Sequence, residues 1–134
     1  MDAITGAAEL APINCFEDLL GHTCTSVVNI NDDEIQFHLT DGRAFKLYHY
    51  QDCCEVVYVD DICGDLNDLV GSPLTMAEKP SSQDGFEIPK PGYEGDSVTW
   101  TFYKLATIKG YVDIRWNGSS NGYYSESVDF GVVS

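Results

Sequence analysis

Polar and apolar residues alternate on both sides of an Asp-Gly pair in the first half of the chain, and few folds accommodate that arrangement. In the segment EIQFHLT, Ile35, Phe37 and Leu39 fall on one face and the polar side chains fall on the other. A period of two is typical of a half-buried strand. The Asp41-Gly42 pair favours a tight turn, and the segment RAFKLYHY after it predicts the returning strand. The chain therefore predicts an antiparallel hairpin with one buried face.

The last third of the chain has turn signals between further β-rich segments. Residues 97–130 predict a three-stranded antiparallel meander, with turns at 108–110 and 119–122. The apolar side chains expected on one face of its first strand are Val98, Trp100 and Phe102, and those of its second strand are Val112, Ile114 and Trp116. A buried strand is also predicted over residues 55–60.

Two short segments carry helical signals, residues 14–20 and residues 62–71, and each is closed by a glycine. The expected fold class is α+β: mainly antiparallel β, with about seven or eight strands in a curved sheet or open barrel, and two short helices. The length of 134 residues suits a single domain spanning 1–134. The proline- and glycine-rich stretch 80–96 is expected to be a long loop or flap within it.

The charge balance restricts the classes of partner. The chain has 22 Asp and Glu against 7 Lys and Arg, a formal net charge of −15. Phosphate backbones and anionic lipids repel such a chain, so neither direct nucleic-acid binding nor membrane binding is expected, and a basic protein surface is the expected partner. Five irregularly spaced cysteines favour reduced thiols and an intracellular location.

Acidic residues in the first half of the chain form short clusters. One interpretation is that they are solvated turns and strand ends, where Asp is common. The other is a binding face whose carboxylates imitate phosphates and attract Lys and Arg. The residues predicted to form that acidic face are Asp32, Asp33, Glu34, Asp60, Asp61, Asp65 and Asp68.

The most distinctive motif is the run from Tyr48 to Glu55, YHYQDCCE. Zinc is one interpretation, because His49, Asp52, Cys53 and Cys54 are residue types that bind zinc, and His38 or Cys63 could be further donors. Adjacent cysteines of an extended segment point to opposite faces, however, which argues against a shared zinc ion. A nucleophilic Cys53 or Cys54 with His49 as base would need a positive environment, whereas carboxylates surround this one. The third interpretation is structural, with polar side chains bonding a bend between two strands.

The structural interpretation is favoured, and it covers His49, Gln51, Asp52, Cys53, Cys54 and Glu55. No catalytic residue, bound metal or cofactor is therefore expected. The motif also resembles the shared segment of a family of small uncharacterised phage and prophage proteins, which has the form Tyr-His-x-Gln-Asp-Cys-Cys-Glu. The resemblance covers about residues 21–79. It implies a phage-related origin and a place in the cytoplasm of a bacterial host, and it carries over no particular reaction or ligand.

These observations lead to three functional hypotheses. The first is a non-enzymatic, phage-encoded acidic binding protein that mimics nucleic acid and inhibits a host nucleic-acid-binding or defence protein, of the anti-restriction or anti-CRISPR type. The second is a phage structural or assembly protein held by sheet and tyrosine surfaces. The tyrosines considered for that surface are Tyr48, Tyr50, Tyr58, Tyr103, Tyr123 and Tyr124. The third is a small metal-binding or thiol-dependent enzyme centred on His49, Cys53 and Cys54.

Overall fold

A computed structural model of the chain describes residues 12–51, 54–79, 97–120 and 126–133, and within these ranges the backbone is mainly antiparallel strand. The strands are β1 (Cys24–Ile30), β2 (Glu34–Leu39), β3 (Ala44–Tyr48), β4 (Val56–Cys63), β5 (Met76–Glu78), β6 (Ser97–Thr107), β7 (Gly110–Ser120) and β8 (Asp129–Val132). Two four-residue 3₁₀ turns, Phe16–Leu19 and Leu66–Leu69, complete the described elements.

The strands form two sheets of four, in the orders β1-β2-β3-β8 and β4-β7-β6-β5. The expected α+β class with a curved sheet or open barrel is therefore wrong, because the described strands make two separate sheets. The two expected helices are also wrong. Each apolar run is too short to offset the cost of helix nucleation, and Ile62 and Cys63 pair with β7 instead.

The hairpin predicted around Asp41-Gly42 is confirmed: β2 pairs with β3, and Phe37 lies opposite Phe45. Gly42 has φ +95°, a backbone conformation that favours glycine. The predicted meander is confirmed only for its first two strands, β6 and β7, which join through Ile108 and Lys109. β8 instead leaves this sheet and pairs with β3, because its apolar Phe130 packs against the core beside the first sheet.

The inner faces of the two sheets share one hydrophobic cluster, as in a β-sandwich. Its fully buried side chains include Ile35, Phe37 and Leu47 from the first sheet and Leu105, Val112, Ile114 and Trp116 from the second. Phe16 closes one end, with edge-on contacts to Phe37 and Tyr103 at centroid distances of 6.1 and 4.7 Å.

The two faces of β6 differ in a way that the apolar pattern did not predict. Thr101, Tyr103 and Leu105 are buried in the core, whereas the face with Val98, Trp100 and Phe102 is the outer one and is only partly buried. The Arg115 guanidinium lies 5.2 Å from the Trp100 ring centroid on that outer face. The loop predicted over residues 80–96 lies outside the described residues.

None of the helical segments in the described ranges is long and apolar enough to cross a membrane.

Two isoleucines of the β6–β7 hairpin provide a matched test of the core. Ile114 is fully buried, whereas Ile108 in the turn is 85% exposed. We expect Ile114→Ala to lower the free energy of unfolding by about 2–5 kcal/mol, because it removes buried methyl groups and leaves a cavity. Ile108→Ala should change it by about 0.5 kcal/mol or less. Urea denaturation measures both, and equal losses would contradict this assignment of the core.

Candidate functional site

A buried histidine–carboxylate pair lies where the chain passes between the two sheets. His49 follows β3 and Glu55 precedes β4, and the His49 Nε2 to Glu55 Oε2 distance is 2.7 Å. The two side chains are 4% and 0% exposed. The second ring nitrogen of His49, Nδ1, lies 2.7 Å from the backbone carbonyl oxygen of Ser127, just before β8. The His49 imidazole thus joins the connection from β3 to β4, which leaves the first sheet, to the connection from β7 to β8, which returns to it.

The two partners of His49 determine how its protons are arranged. A carbonyl oxygen only accepts hydrogen bonds, so Nδ1–H of His49 donates to Ser127. The Nε2–Glu55 contact then contains one proton, carried either by an imidazolium beside a carboxylate or by a carboxyl group beside a neutral imidazole. Both ring nitrogens are engaged in either state. His49 must therefore break one of these bonds before it can bind a metal or accept a proton from a substrate.

A second buried carboxylate, Glu126, completes this region. It accepts hydrogen bonds from the hydroxyl groups of Thr99 on β6 and Ser120 on β7. A Cβ atom at Gly118 would lie 2.7 Å from the backbone oxygen of Glu126, so the returning chain lies almost directly on β7. Gln51 donates from Nε2 to the backbone oxygen of Glu55 at 2.6 Å.

We refer to His49, Gln51, Glu55, Glu126 and Ser127 as the connection cluster. Three members belong to the YHYQDCCE motif, and their contacts are of the kind that the structural interpretation of the motif requires, although that interpretation stays a prediction. Asp52 and Cys53 lie outside the described residues. The pattern of alternating strands gave no signal for Glu126 and Ser127, since their roles depend on where the chain returns to the first sheet.

The cysteines of the described ranges are in different chemical states. Cys15, Cys24 and Cys63 are free, whereas Cys54 is disulfide-bonded, so the expectation of reduced thiols is wrong at Cys54. The described residues hold no group of three or more His, Cys, Asp or Glu side chains arranged to bind a metal ion. His38, one of the suggested further zinc donors, lies on β2. Its Nε2 atom contacts the side-chain oxygen of Gln36 at 2.9 Å.

The predicted acidic face is divided by the fold into two parts. The β1–β2 turn reaches β4, where the Val59 N–H donates to the Asp32 carbonyl oxygen at 2.7 Å. This bond brings the turn, with Asp32 and Asp33, to the β4 bulge that carries Asp60 and Asp61. Positive φ angles of 54° and 59° at Asn31 and Asp32 are typical of a tight hairpin turn.

The other predicted acids have local structural contacts. Asp65 caps the second 3₁₀ turn by accepting from the Asn67 N–H, and the Asp68 carbonyl accepts from the Thr107 hydroxyl. Glu34 is partly buried and accepts from the Gln36 amide. The contacts of Asp65 and Glu34 engage their carboxylates, so these two contribute less to a shared face than their sequence positions indicated, whereas the contact of Asp68 involves only its backbone carbonyl.

We call Asp32, Asp33, Asp60, Asp61 and Asp113 the acidic corner. Asp113 lies on β7 opposite Cys63, and sequence analysis missed it because it is isolated from the other acids along the chain. Arg115 is the basic residue of this region and donates to Asp60 Oδ2 from Nε and Nη2 at 2.9 and 2.6 Å. Five carboxylates beside one guanidinium leave a formal charge of −4, since −5 + 1 = −4.

The thiols report the electrostatics of this corner. Cys63 Sγ lies 3.4 Å from Asp61 Oδ2, and the hydrogen bond to Asp61 and the charge of Asp61 raise the pKa of the Cys63 thiol, with a smaller contribution from Asp113. Burial raises the pKa of Cys24 to about 11. Neither environment activates a thiolate, because activation requires a lowered pKa.

Comparison with known proteins identifies the family. The family described as "Domain of unknown function (DUF7448)" matches residues 17–130, so the chain belongs to it. Neither the curated proteins nor the solved structures contain a significant match to the chain.

The His49–Glu55 pair should be strongly coupled in stability. We expect Glu55→Leu to lower the free energy of unfolding by about 3–5 kcal/mol, because it leaves the buried imidazole without its partner. Adding His49→Leu to that variant should cost less than His49→Leu does alone, since the partner is already absent. Denaturation of the two single variants and the double variant, with the disulfide kept intact, measures the coupling.

His38→Leu is the matched control for that experiment, because His38 makes a similar contact to Gln36 on a partly exposed face. It should change stability by about 1 kcal/mol or less. If the losses from His49→Leu and Glu55→Leu simply add, the pair does not act as a unit.

Thiol reactivity tests the electrostatics of the acidic corner. At neutral pH, iodoacetamide should modify the exposed Cys63 slowly, and Asp61→Asn should accelerate that reaction roughly 3- to 10-fold by lowering the thiol pKa. Peptide mass spectrometry follows each cysteine separately. Cys15 should react at the same rate in both proteins and serves as the internal control, while Cys24 should stay unmodified until the protein unfolds. An unchanged Cys63 rate would show that Asp61 does not control this thiol.

Proposed function

We propose that this chain, as a member of the DUF7448 family, is a non-enzymatic acidic binding protein whose acidic corner occupies a basic surface of another protein. The observation that carries the proposal is the hydrogen bond from Val59 N–H to the Asp32 carbonyl. It joins acids from the β1–β2 turn to acids of β4, so that charges distant in the sequence lie on one surface of the sandwich.

Electrostatic reasoning supports this kind of partner. Of the five carboxylates in the acidic corner, Asp60 is the one bonded to Arg115. The net charge of −15 adds a long-range field that accelerates encounter with a positively charged partner and weakens as salt is added. Carboxylates held by a tight hairpin turn and by strand backbones have little backbone freedom to lose, which favours binding through fixed charges.

Nucleic-acid-binding proteins are the class of basic surface that we favour. Such surfaces present Lys and Arg to phosphates, and a row of carboxylates satisfies the same groups. The resemblance of the YHYQDCCE motif to phage and prophage proteins leads us to place the target in the cytoplasm of a bacterial host. The protein would act there as a nucleic-acid mimic that inhibits a host defence or nucleic-acid-binding protein.

The test is affinity capture from bacterial lysate, followed by competition. A captured basic protein should be retained at about 0.1 M salt and released at about 1 M, where the Debye length falls to about 3 Å. Duplex DNA should displace it from the bound chain. In binding assays with that protein, Asp33→Asn with Asp61→Asn should raise the Kd roughly 10-fold, because two surface ion pairs contribute up to about 2 kcal/mol together.

Glu78→Lys is the matched control, because it changes the net charge by the same amount, from −15 to −13, on β5 at the opposite edge of the second sheet. An equal effect of the two variants would mean that only net charge matters, and the acidic corner would lose its assignment. Capture of virion components alone, or of the chain itself, would replace this proposal with a phage structural or assembly role.

A further inference from the structure

A small cavity opens at the end of the sandwich, away from the acidic corner. It has a volume of about 220 Å³ and lies between the first 3₁₀ turn, the end of β5, the middle of β6 and the start of β8. Binding pockets for drug-sized molecules typically begin near 300 Å³, so this cavity suits a ligand about as large as one side chain.

Aromatic rings form one part of the cavity lining. Phe16 lies edge-on to Tyr103 and to Phe130, at centroid distances of 4.7 and 6.3 Å. Phe130 also stacks on Phe45, with an interplanar angle of 6°. These contacts hold the rings in fixed positions, so the cavity has a rigid aromatic floor. The face of an aromatic ring attracts cations.

Charged groups form the rest of the lining. Glu17 and Asp129 contribute carboxylates and Lys79 contributes an ammonium group, so the formal charge of the lining is −1. The Lys79 Nζ atom lies 5.9 Å from the centroid of the Tyr103 ring. An ammonium group of this chain is therefore already placed near the aromatic floor.

The Tyr103 hydroxyl is an unused polar group at this cavity. The Tyr103 side chain is 1% exposed, and among the described residues its hydroxyl makes no hydrogen bond. Burial raises the pKa of this hydroxyl, and the charges of Asp129 and Glu17, which line the same cavity, raise it further.

We propose that this cavity binds the primary ammonium end of a ligand, between the carboxylates of Glu17 and Asp129 and above the aromatic floor of Phe16 and Tyr103. The ligand N–H groups donate to the two carboxylates and to the Tyr103 hydroxyl oxygen. Lys79 occupies part of the same region and therefore competes with the ligand. The site is separate from the acidic corner and does not depend on the function proposed for it.

The first experiment is an NMR titration of the full-length chain with n-butylammonium, using neutral n-butanol as the control of matched shape. We expect saturable shifts at the amides of Phe16, Tyr103 and Phe130, with a Kd on the order of millimolar for so small a ligand. Absence of saturable shifts up to about 100 mM, well above that Kd, or equal binding of n-butanol, would overturn the proposal.

Variants test each part of the site. Asp129→Asn or Glu17→Gln should weaken n-butylammonium binding roughly 3- to 10-fold, whereas Glu78→Gln, outside the cavity, should leave it unchanged. Tyr103→Phe keeps the ring and the core packing and should weaken binding a few-fold. Lys79→Gln should strengthen binding about 3-fold, and Lys104→Gln on the outer face is its charge-matched control. If the two lysine variants had equal effects, binding would depend only on the net charge of the protein, and the proposed site would be contradicted.

Two further ligands distinguish the source of the ammonium group. N-acetyl-lysine N-methylamide represents a lysine side chain of a protein partner, and free n-butylammonium represents a small amine. Binding of both supports a protein lysine as the natural occupant, whereas binding of n-butylammonium alone supports a free amine. Failure of this site would leave the salt-sensitive capture through Asp33 and Asp61 unaffected, so the two proposals fail separately.

Discussion

The bonds of one imidazole connect the two halves of this fold. His49 is bonded to Glu55 at the entry to the second sheet and to Ser127 at the return to the first, so it joins the only stretches at which the described chain changes sheets. When two sheets share no strand, the connections between them help to fix how one sheet is aligned on the other. Because the His49–Glu55 contact is buried, loss of either partner leaves an unsatisfied polar group, and the structure penalises alternative arrangements of this connection.

That alignment creates two charged regions, one on the outer surface of the sandwich and one at an end of its core. The acidic corner is assembled on the outside by a turn of one sheet that reaches the edge strand of the other, where Val59 meets Asp32. The cavity near Tyr103 lies at an end of the core, where Phe16 closes the sandwich incompletely. The first is the surface that we propose binds a basic protein, and the second is the cavity that we propose binds a single ammonium group.

Local sequence signals predicted the strands well and the architecture poorly. Alternation and the Asp-Gly turn were sufficient for the β2–β3 hairpin, because neighbouring strands pair through local contacts. The same signals could not assign β8, whose partner β3 lies about 80 residues earlier in the chain. Short apolar runs were also mistaken for helices, since four or five residues satisfy a 3₁₀ turn as well as one turn of an α-helix.

The sequence by itself determined that the chain forms two-faced antiparallel strands, that it carries a large negative charge, and that the YHYQDCCE motif lies in a bend between strands. Only the tertiary structure decided that Tyr103 and not Trp100 faces the core, that Asp113 joins Asp61 while Asp65 caps a turn, and that Glu126 is buried. The physical reason is that a period of two defines two faces without choosing between them. That choice depends on which sheet covers the strand, and contacts between residues far apart in the chain determine it.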